Sequence, residues 1–337
     1  MAVFSFGSNG NYQLGVGHDE DLDIPERVLI DEHVRYICSG GNHTVFISNS
    51  GQLYGTGLNS NGQLSFLGDD KHITVPTKLD DDKERFGIVG AGWEYTIAVT
   101  EDGKRLYSCG AGPKGELGLG LGVTQTSEPK IIPDFPPSGR TVVSLSTGMS
   151  HVIALLDDGS AYGWGAARKG QLGEPVEKMI WTPRKINSDI PHISFIGCGR
   201  DFSVLGSRTE NTVVVLGDDR FGIRSNKPIV DQREIKDLNC GWSHAQLLYS
   251  DGTVASWGNN IHGQKAPEGL APIKQMAVGT EHVLAIDDSN KLVAWGWGEH
   301  GNCGHNHTDG SITNILNEAS SVKFIHSGYA NSWYITH

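Results

Sequence analysis

Positive charge is thin along this chain. Its 337 residues hold 27 lysines and arginines against 39 aspartates and glutamates, a formal net charge of -12, with acidic residues gathered at His18-Asp19-Glu20-Asp21-Leu22-Asp23 and Asp80-Asp81-Asp82 and no basic tail at either end. That balance opposes non-specific binding to phosphate backbones or anionic membranes. Apolar runs are short. None approaches a membrane span, and the opening Met1-Ala-Val-Phe-Ser-Phe-Gly7 lacks the positive region, apolar stretch and cleavage site of a secretory leader. Cysteine is sparse and odd in number, five in all, with no Cys-x-x-Cys pair. These five read as small buried hydrophobes in a reducing compartment. The expectation is a soluble, intracellular protein.

Glycine, by contrast, is abundant. The chain has 45 of them, about twice the usual share, and they fall at fixed offsets. The stretch Phe6-Gly7-Ser8-Asn9-Gly10-Asn11-Tyr12-Gln13-Leu14-Gly15 returns six times as a hydrophobic residue and glycine, a loop, then Gly-Gln-Leu-Gly or a worn copy of it. The leading glycines, Gly7, Gly57, Gly110, Gly165, Gly217, Gly258 and Gly296, are 50, 53, 55, 52, 41 and 38 residues apart. That is the period of propeller blades, not of helical solenoids.

A second signature, glycine, two residues and often histidine, recurs as Gly40 to His43, Gly92 to Tyr95, Gly148 to His151, Gly199 to Phe202, Gly241 to His244, Gly279 to His282 and Gly328 to Asn331. Each is followed by an apolar run, a two-residue turn such as Ser50-Gly51 or Asp158-Gly159, and a second run into the next leading glycine. These are hairpins. The distance from second signature to next leading glycine is 17 or 18 residues throughout, whereas the stretch before the second signature varies from 21 to 38. Partner-specific features are expected in the variable stretches. The seventh hairpin has no turn, because the chain stops nine residues after Gly328, and its missing strand is Ala2 to Phe6. The spacing therefore predicts an all-β fold, one domain over residues 1–337, a seven-bladed β-propeller closed by pairing of the N- and C-terminal strands.

Seven units of this form resemble the regulator-of-chromosome-condensation repeat family of propellers. Two stretches, Gly7 to Pro25 and Trp295-Gly-Trp-Gly-Glu-His-Gly-Asn-Cys-Gly304, are similar to the family's fungal alpha-tubulin suppressor group. That resemblance implies a non-enzymatic scaffold without cofactor. Its implied partner is a small CSL-type zinc-binding electron-carrier protein of diphthamide biosynthesis, held as a heterodimer. It further implies support of tRNA wobble-uridine modification through an indirect link to the Elongator complex and a cytoplasmic and nuclear location; no direct contact with DNA or membrane is expected from the net charge and short apolar runs. The leading alternative is a nucleotide-exchange factor for a Ran-like small GTPase, for which the longest variable segment, with Pro133-Asp-Phe-Pro-Pro137, would be the wedge. A ubiquitin-ligase substrate module would need a catalytic domain for which no residues remain.

Other constellations weigh less. Gly110 to Gly115 and Gly296 to Gly301 match G-x-G-x-x-G, but only because glycine replaces the asparagine seen at Asn9 and Asn59. His300, Cys303, His305 and His307 lie close in sequence, yet Cys303 takes the buried Leu14 position and His300 a loop tip, so no metal site is expected and His305 and His307 read as solvated. His43, His151, His244 and His282 should ring the axis and bond turn backbone groups. Nothing pairs Asp201 with Glu281 as acid and base. The slot after each second-signature glycine holds Trp93, Trp242 and Tyr329 in three units. These face one side, either as an aromatic binding surface or each over its neighbouring blade. Trp297 with Glu299 and His300 is a second candidate patch, and the acidic loop with Asp19 and Glu20 a third.

Overall fold

In the computed structural model, which describes residues 1–64, 71–79 and 83–337, the predicted two-residue turns close hairpins. Gly51, Gly103, Gly159, Asn211, Gly252 and Asn290 all have positive φ, from 46° to 85°, as tight hairpins require. The acidic run Asp80-Asp81-Asp82 lies outside the described residues. Seven antiparallel sheets follow the chain as blades. Blade 3 shows the plan: Val142–Thr147 innermost, then His151–Leu156, Ala161–Ala166, and Met179–Lys185 at the rim. Blade 1 covers residues 34–78, blade 2 86–131, blade 4 195–217, blade 5 235–258 and blade 6 273–316.

Blade 7 is built from both chain ends. Val3–Gly7 pairs antiparallel with Asn331–Thr336, Val3 opposite Ile335 and Gly7 opposite Asn331. The ring closes as the repeat spacing required. Blades 4 and 5 depart from the plan with three strands each, ending at Thr212–Gly217 and Val254–Gly258. They belong to the units with the shortest variable stretches, 24 and 21 residues, and what is missing is the rim strand.

The motif recurs because it ties each blade to the next. The side-chain oxygen of its glutamine accepts the N–H two residues earlier, as in Asn11 to Gln13 at 2.8 Å, Asn61 to Gln63 at 3.0 Å and Lys169 to Gln171 at 2.9 Å. Its backbone carbonyl faces the following blade. There it accepts an indole N–H, Trp164 Nε1 to Glu116 O at 2.8 Å and Trp295 Nε1 to Gln264 O at 3.3 Å, or a hydroxyl, Thr96 Oγ1 to Gln63 O at 2.8 Å. The leucines that follow, Leu14 and Leu64, are fully buried. Gly57 has φ 107°, and a Cβ there would stand 2.5 Å from Asn42 O, so only glycine fits.

The second signature has a steric origin. A Cβ at Gly40 would lie 2.4 Å from the His43 ring, and one at Gly199 2.1 Å from the Phe202 ring. Each ring rests on its own glycine. His43, His151, His244 and His282 are fully buried, one in each of four blades, and three of them find partners, backbone and side chain, on the next blade. They reach hydroxyls on the next blade: Nε2 of His43 lies 2.9 Å from Thr96 Oγ1, that of His151 3.0 Å from Ser203 Oγ and that of His282 3.0 Å from Ser332 Oγ. Thr96 and Ser332 donate onward to Gln63 O and Asn302 O, so His43 and His282 donate from Nε2 and keep Nδ1 unprotonated. Phe202, which needs no hydroxyl, meets a blade with Ala245 at the corresponding place.

His244 breaks this rule. Its counterpart position in blade 6 is Val283, and neither ring nitrogen has a hydrogen-bond partner. Val283→Thr should restore the missing hydroxyl and raise unfolding stability by about 0.5–1.5 kcal/mol, measured by urea denaturation. A loss of stability would show that the hydroxyl does not reach the ring.

Candidate functional site

Both signatures lie on one face of the ring, since Leu58 N–H of the leading-glycine loop bonds Asn42 O of the second signature. At its centre Trp93, Trp242 and Tyr329, from blades 2, 5 and 7, meet each other, with ring centroids 5.8, 5.8 and 5.5 Å apart. The rings do not each pack over a neighbouring blade but gather into one aromatic cluster on this face, because a seven-bladed ring is narrow enough for them to touch across its axis. Each stays half-buried, and the side chains of Trp242 and Tyr329 interact with one another.

Beneath them the axial channel encloses a cavity of about 330 Å³. Cys38, Cys198 and Cys240 line it, and Cys38 and Cys240 are half-buried, more open than expected. Burial pushes the thiol of Cys38 up to about 11 and that of Cys198 to about 12, so neither is a thiolate nucleophile near neutrality. Among the described residues no group of three His, Cys, Asp or Glu is placed to hold a metal ion.

A hydrogen-bonded path leads outward from this plug. Ser243, next to Trp242, donates to both carboxylate oxygens of Glu281 at 2.9 and 2.7 Å, and Glu281 O accepts the N–H of Trp297 at 2.9 Å. Trp297 is half-buried with its ring edge-on to His300, centroids 5.3 Å apart. His300 Nδ1 then meets Asp21 Oδ2 at 2.7 Å, and the other Asp21 oxygen accepts Asn9 N–H at 2.7 Å. The acidic loop is held in place by Asn9, whose Nδ2 donates to His18 O at 2.7 Å and Glu20 O at 3.1 Å. Asp19, Glu20 and Glu299 are exposed. The second and third candidate patches are therefore one surface, joined across the junction of blades 6 and 7.

The side chains of the histidine run take separate partners. His305 pairs with Asp23 at 2.6 Å and Cys303 is fully buried. His307 is not solvated, as the sequence reading had it: its nitrogens lie 2.7 Å from Thr313 Oγ1 and 2.7 Å from Gly296 O. Asp201 and Glu281 line one small pocket, but Asp201 faces Arg200 at 3.4 Å and Glu281 holds Ser243 and Gln264. Both glycine-rich matches are followed by loop, not helix. Phe135 is 7 % exposed and packs on Tyr162 and Trp164 at 5.2 and 5.8 Å. It covers the flank of blade 3 instead of projecting as a wedge.

Sequence reasoning missed five cations on the same face: Lys114, Arg168, Lys169, Arg200 and Arg220 line one cleft beside Trp242. Lys114 and Lys169 occupy the same motif slot as His300, and that shared slot was the available signal.

A family model described as "Regulator of chromosome condensation (RCC1) repeat" matches residues 2–47 and 158–205, and a second of that description matches 34–63, 142–171, 235–264 and 273–302. An RCC1 repeat-containing protein of Schizosaccharomyces pombe is 31% identical over 352 residues, covering 99% of this chain and 98% of the relative. A secretion-regulating guanine nucleotide exchange factor of Mus musculus is 28% identical, covering 93% of this chain and 77% of its own. Among solved structures, human WBSCR16 superposes with a TM-score of 0.87 over all of both chains at 18% identity, a likeness of fold.

Proposed function

The chain belongs to the regulator of chromosome condensation repeat family, and from that premise we propose that it is a scaffold that binds and regulates a small CSL-type zinc-binding electron-carrier protein. Through that partner it supports tRNA wobble-uridine modification, with the Elongator complex affected indirectly, and diphthamide synthesis, in the cytoplasm and nucleus. The observation that carries the reading is the His300–Asp21 contact at 2.7 Å. It unites the two stretches that resemble the alpha-tubulin suppressor group, residues 7–25 and 295–304, in one exposed patch bearing an aromatic anchor and carboxylates. Propellers of this family work as binding or exchange-factor regulators, and the patch has the composition of an interface: a half-buried tryptophan ringed by polar groups.

Trp297→Ala should weaken binding of the zinc protein at least about tenfold, and Glu299→Ala by a smaller factor, with thermal midpoints within about 2 °C of the parent. Isothermal titration with both variants checks this; unaltered affinity rules the patch out. The second reading, an exchange factor for a small GTPase, draws on the 28% identical mouse relative of that name. In the segment considered for its wedge, Phe135 is buried on blade 3 while Pro133 and Asp134 are exposed.

A further inference from the structure

The repeat geometry gathers positive charge where the chain as a whole has little. Lys114 and Lys169 stand four residues after their leading glycines, Arg168 and Arg220 three residues after theirs, and Arg200 fills the slot that Trp93 and Trp242 fill in other blades. Equivalent slots share a face, so blades 2, 3 and 4 deliver these five side chains to one cleft of about 500 Å³. Among the described residues, two carboxylates line it. Asp218 lies 3.4 Å from Lys169 Nζ, and Asp201 3.4 Å from Arg200 Nε. Lys114 Nζ lies 3.1 Å from Ser150 Oγ and interacts with the Glu116 carboxylate nearby, and the Arg220 guanidinium sits 5.2 Å from the Phe221 ring centre. The cleft is a positive site on a protein of net charge -12.

Apolar surface adjoins it. A second pocket of about 140 Å³ shares Arg200, Arg220, Trp242, Asp201 and Asp218 with the cleft and adds Phe221, Ile223 and, held by Ser243 and Gln264, Glu281. Phe221 has φ 62° and is 41 % exposed. A bulky residue keeps that backbone conformation only where its surroundings impose it, and Asp219 does so by accepting the N–H groups of Arg224 and Ser225 at 2.7 and 2.9 Å. The turn thus presents an aromatic ring beside two guanidinium groups.

We propose that this cleft binds an extended acidic segment of a partner protein, its carboxylates on Arg200, Arg220, Lys114 and Lys169 and an apolar side chain between Trp242 and Phe221. Forked guanidinium groups fit carboxylates in bidentate fashion. Asp201 and Asp218 interrupt the positive surface, which suits the spaced carboxylates of a peptide better than the unbroken phosphate backbone of a nucleic acid. The proposal rests on reading this face as protein-binding, but not on the identity of the zinc protein.

The test is selection of a phage-displayed library of random twelve-residue peptides on the immobilised full chain at physiological salt. The expected result is recovery of peptides rich in Asp and Glu around a Leu, Phe or Trp. Their affinity, read by fluorescence anisotropy, should fall at least tenfold for Arg200→Glu/Arg220→Glu, whose circular dichroism melt matches the parent, and should not change for Trp297→Ala. Failure to recover acidic peptides, affinity unmoved by the charge reversal, or tighter binding of a twelve-nucleotide polyuridine overturns the proposal. Because no natural partner is used, this outcome is separable from loss of the zinc-protein reading, which titration with the Trp297 variant decides.

Discussion

Acidification from pH 7 to pH 5 should unfold this protein cooperatively. Burial holds His43, His244 and His282 down to about 3 and His151 and His326 down to about 4, whereas histidine in an unfolded chain titrates near ~6.5. Between those values the unfolded chain binds more protons than the folded one, so stability rises with pH. The contribution is complete above the unfolded value and is lost progressively as pH falls below it. Each such histidine gives a slope of about 1.4 kcal/mol per pH unit. Five together give about 7 kcal/mol per unit, which rivals the whole net stability of a folded domain, about 5–15 kcal/mol.

The structure explains why protonation is not tolerated. The Nδ1 atoms of His43, His151 and His282 have no acceptor to receive a proton, and His326 Nε2 already accepts the N–H of Ser39 at 3.0 Å. Burial also raises the carboxyls of Glu116, Asp237 and Glu281. A raised carboxyl stabilises below its unfolded value and loses that contribution as pH rises, so these three oppose the histidines, but they are fewer. Tryptophan fluorescence followed against pH should show a midpoint at about pH 5–6. Replacing His282 by asparagine, the residue blade 7 carries at Asn331, should make the fall about one-fifth less steep. A fold intact at pH 4.5 would contradict the account.

Removing residues 1–7 should abolish cooperative folding. The strand they supply gives five residue pairs to Asn331–Thr336 and fills the core with Phe6, fully buried, and Val3, 3 % exposed. Losing one buried phenylalanine alone costs about 3–5 kcal/mol. Its absence also leaves two open strand edges facing each other, a template for pairing with other chains. Size-exclusion chromatography should find the truncated chain aggregated. By contrast, a permuted chain with its old ends joined and new ones cut at Ser50-Gly51 should melt within about 5 °C of the parent, since every strand is retained. A truncated monomer with the parent's melting curve would show that ring closure is dispensable.

Most of the architecture was legible because each motif residue does one job. The leading glycine avoids a backbone collision, the glutamine carbonyl holds the next blade, and the ring of the second signature rests on its glycine, so their recurrence counted the blades. The three-stranded blades were less legible: unit lengths of 24 and 21 residues announce a deletion but not which strand is lost. The histidine partners were written in the sequence as Thr96, Ser203 and Ser332. Pairing them needs the knowledge that the next blade brings the following residue against the ring. Trp93, Trp242 and Tyr329 were placed on the correct face, but contact across the axis depends on the channel's radius. The cationic cleft was hidden by the net charge, which averages over a surface where the signs are segregated.

Partner binding is tested most directly by affinity purification of the tagged protein from a fungal extract, with mass spectrometry and zinc analysis of what co-purifies. A stoichiometric small zinc protein, lost when Trp297 is replaced by alanine, is the expected result. A small GTPase recovered in its place, and bound best without nucleotide, would contradict the scaffold reading and establish the exchange-factor one.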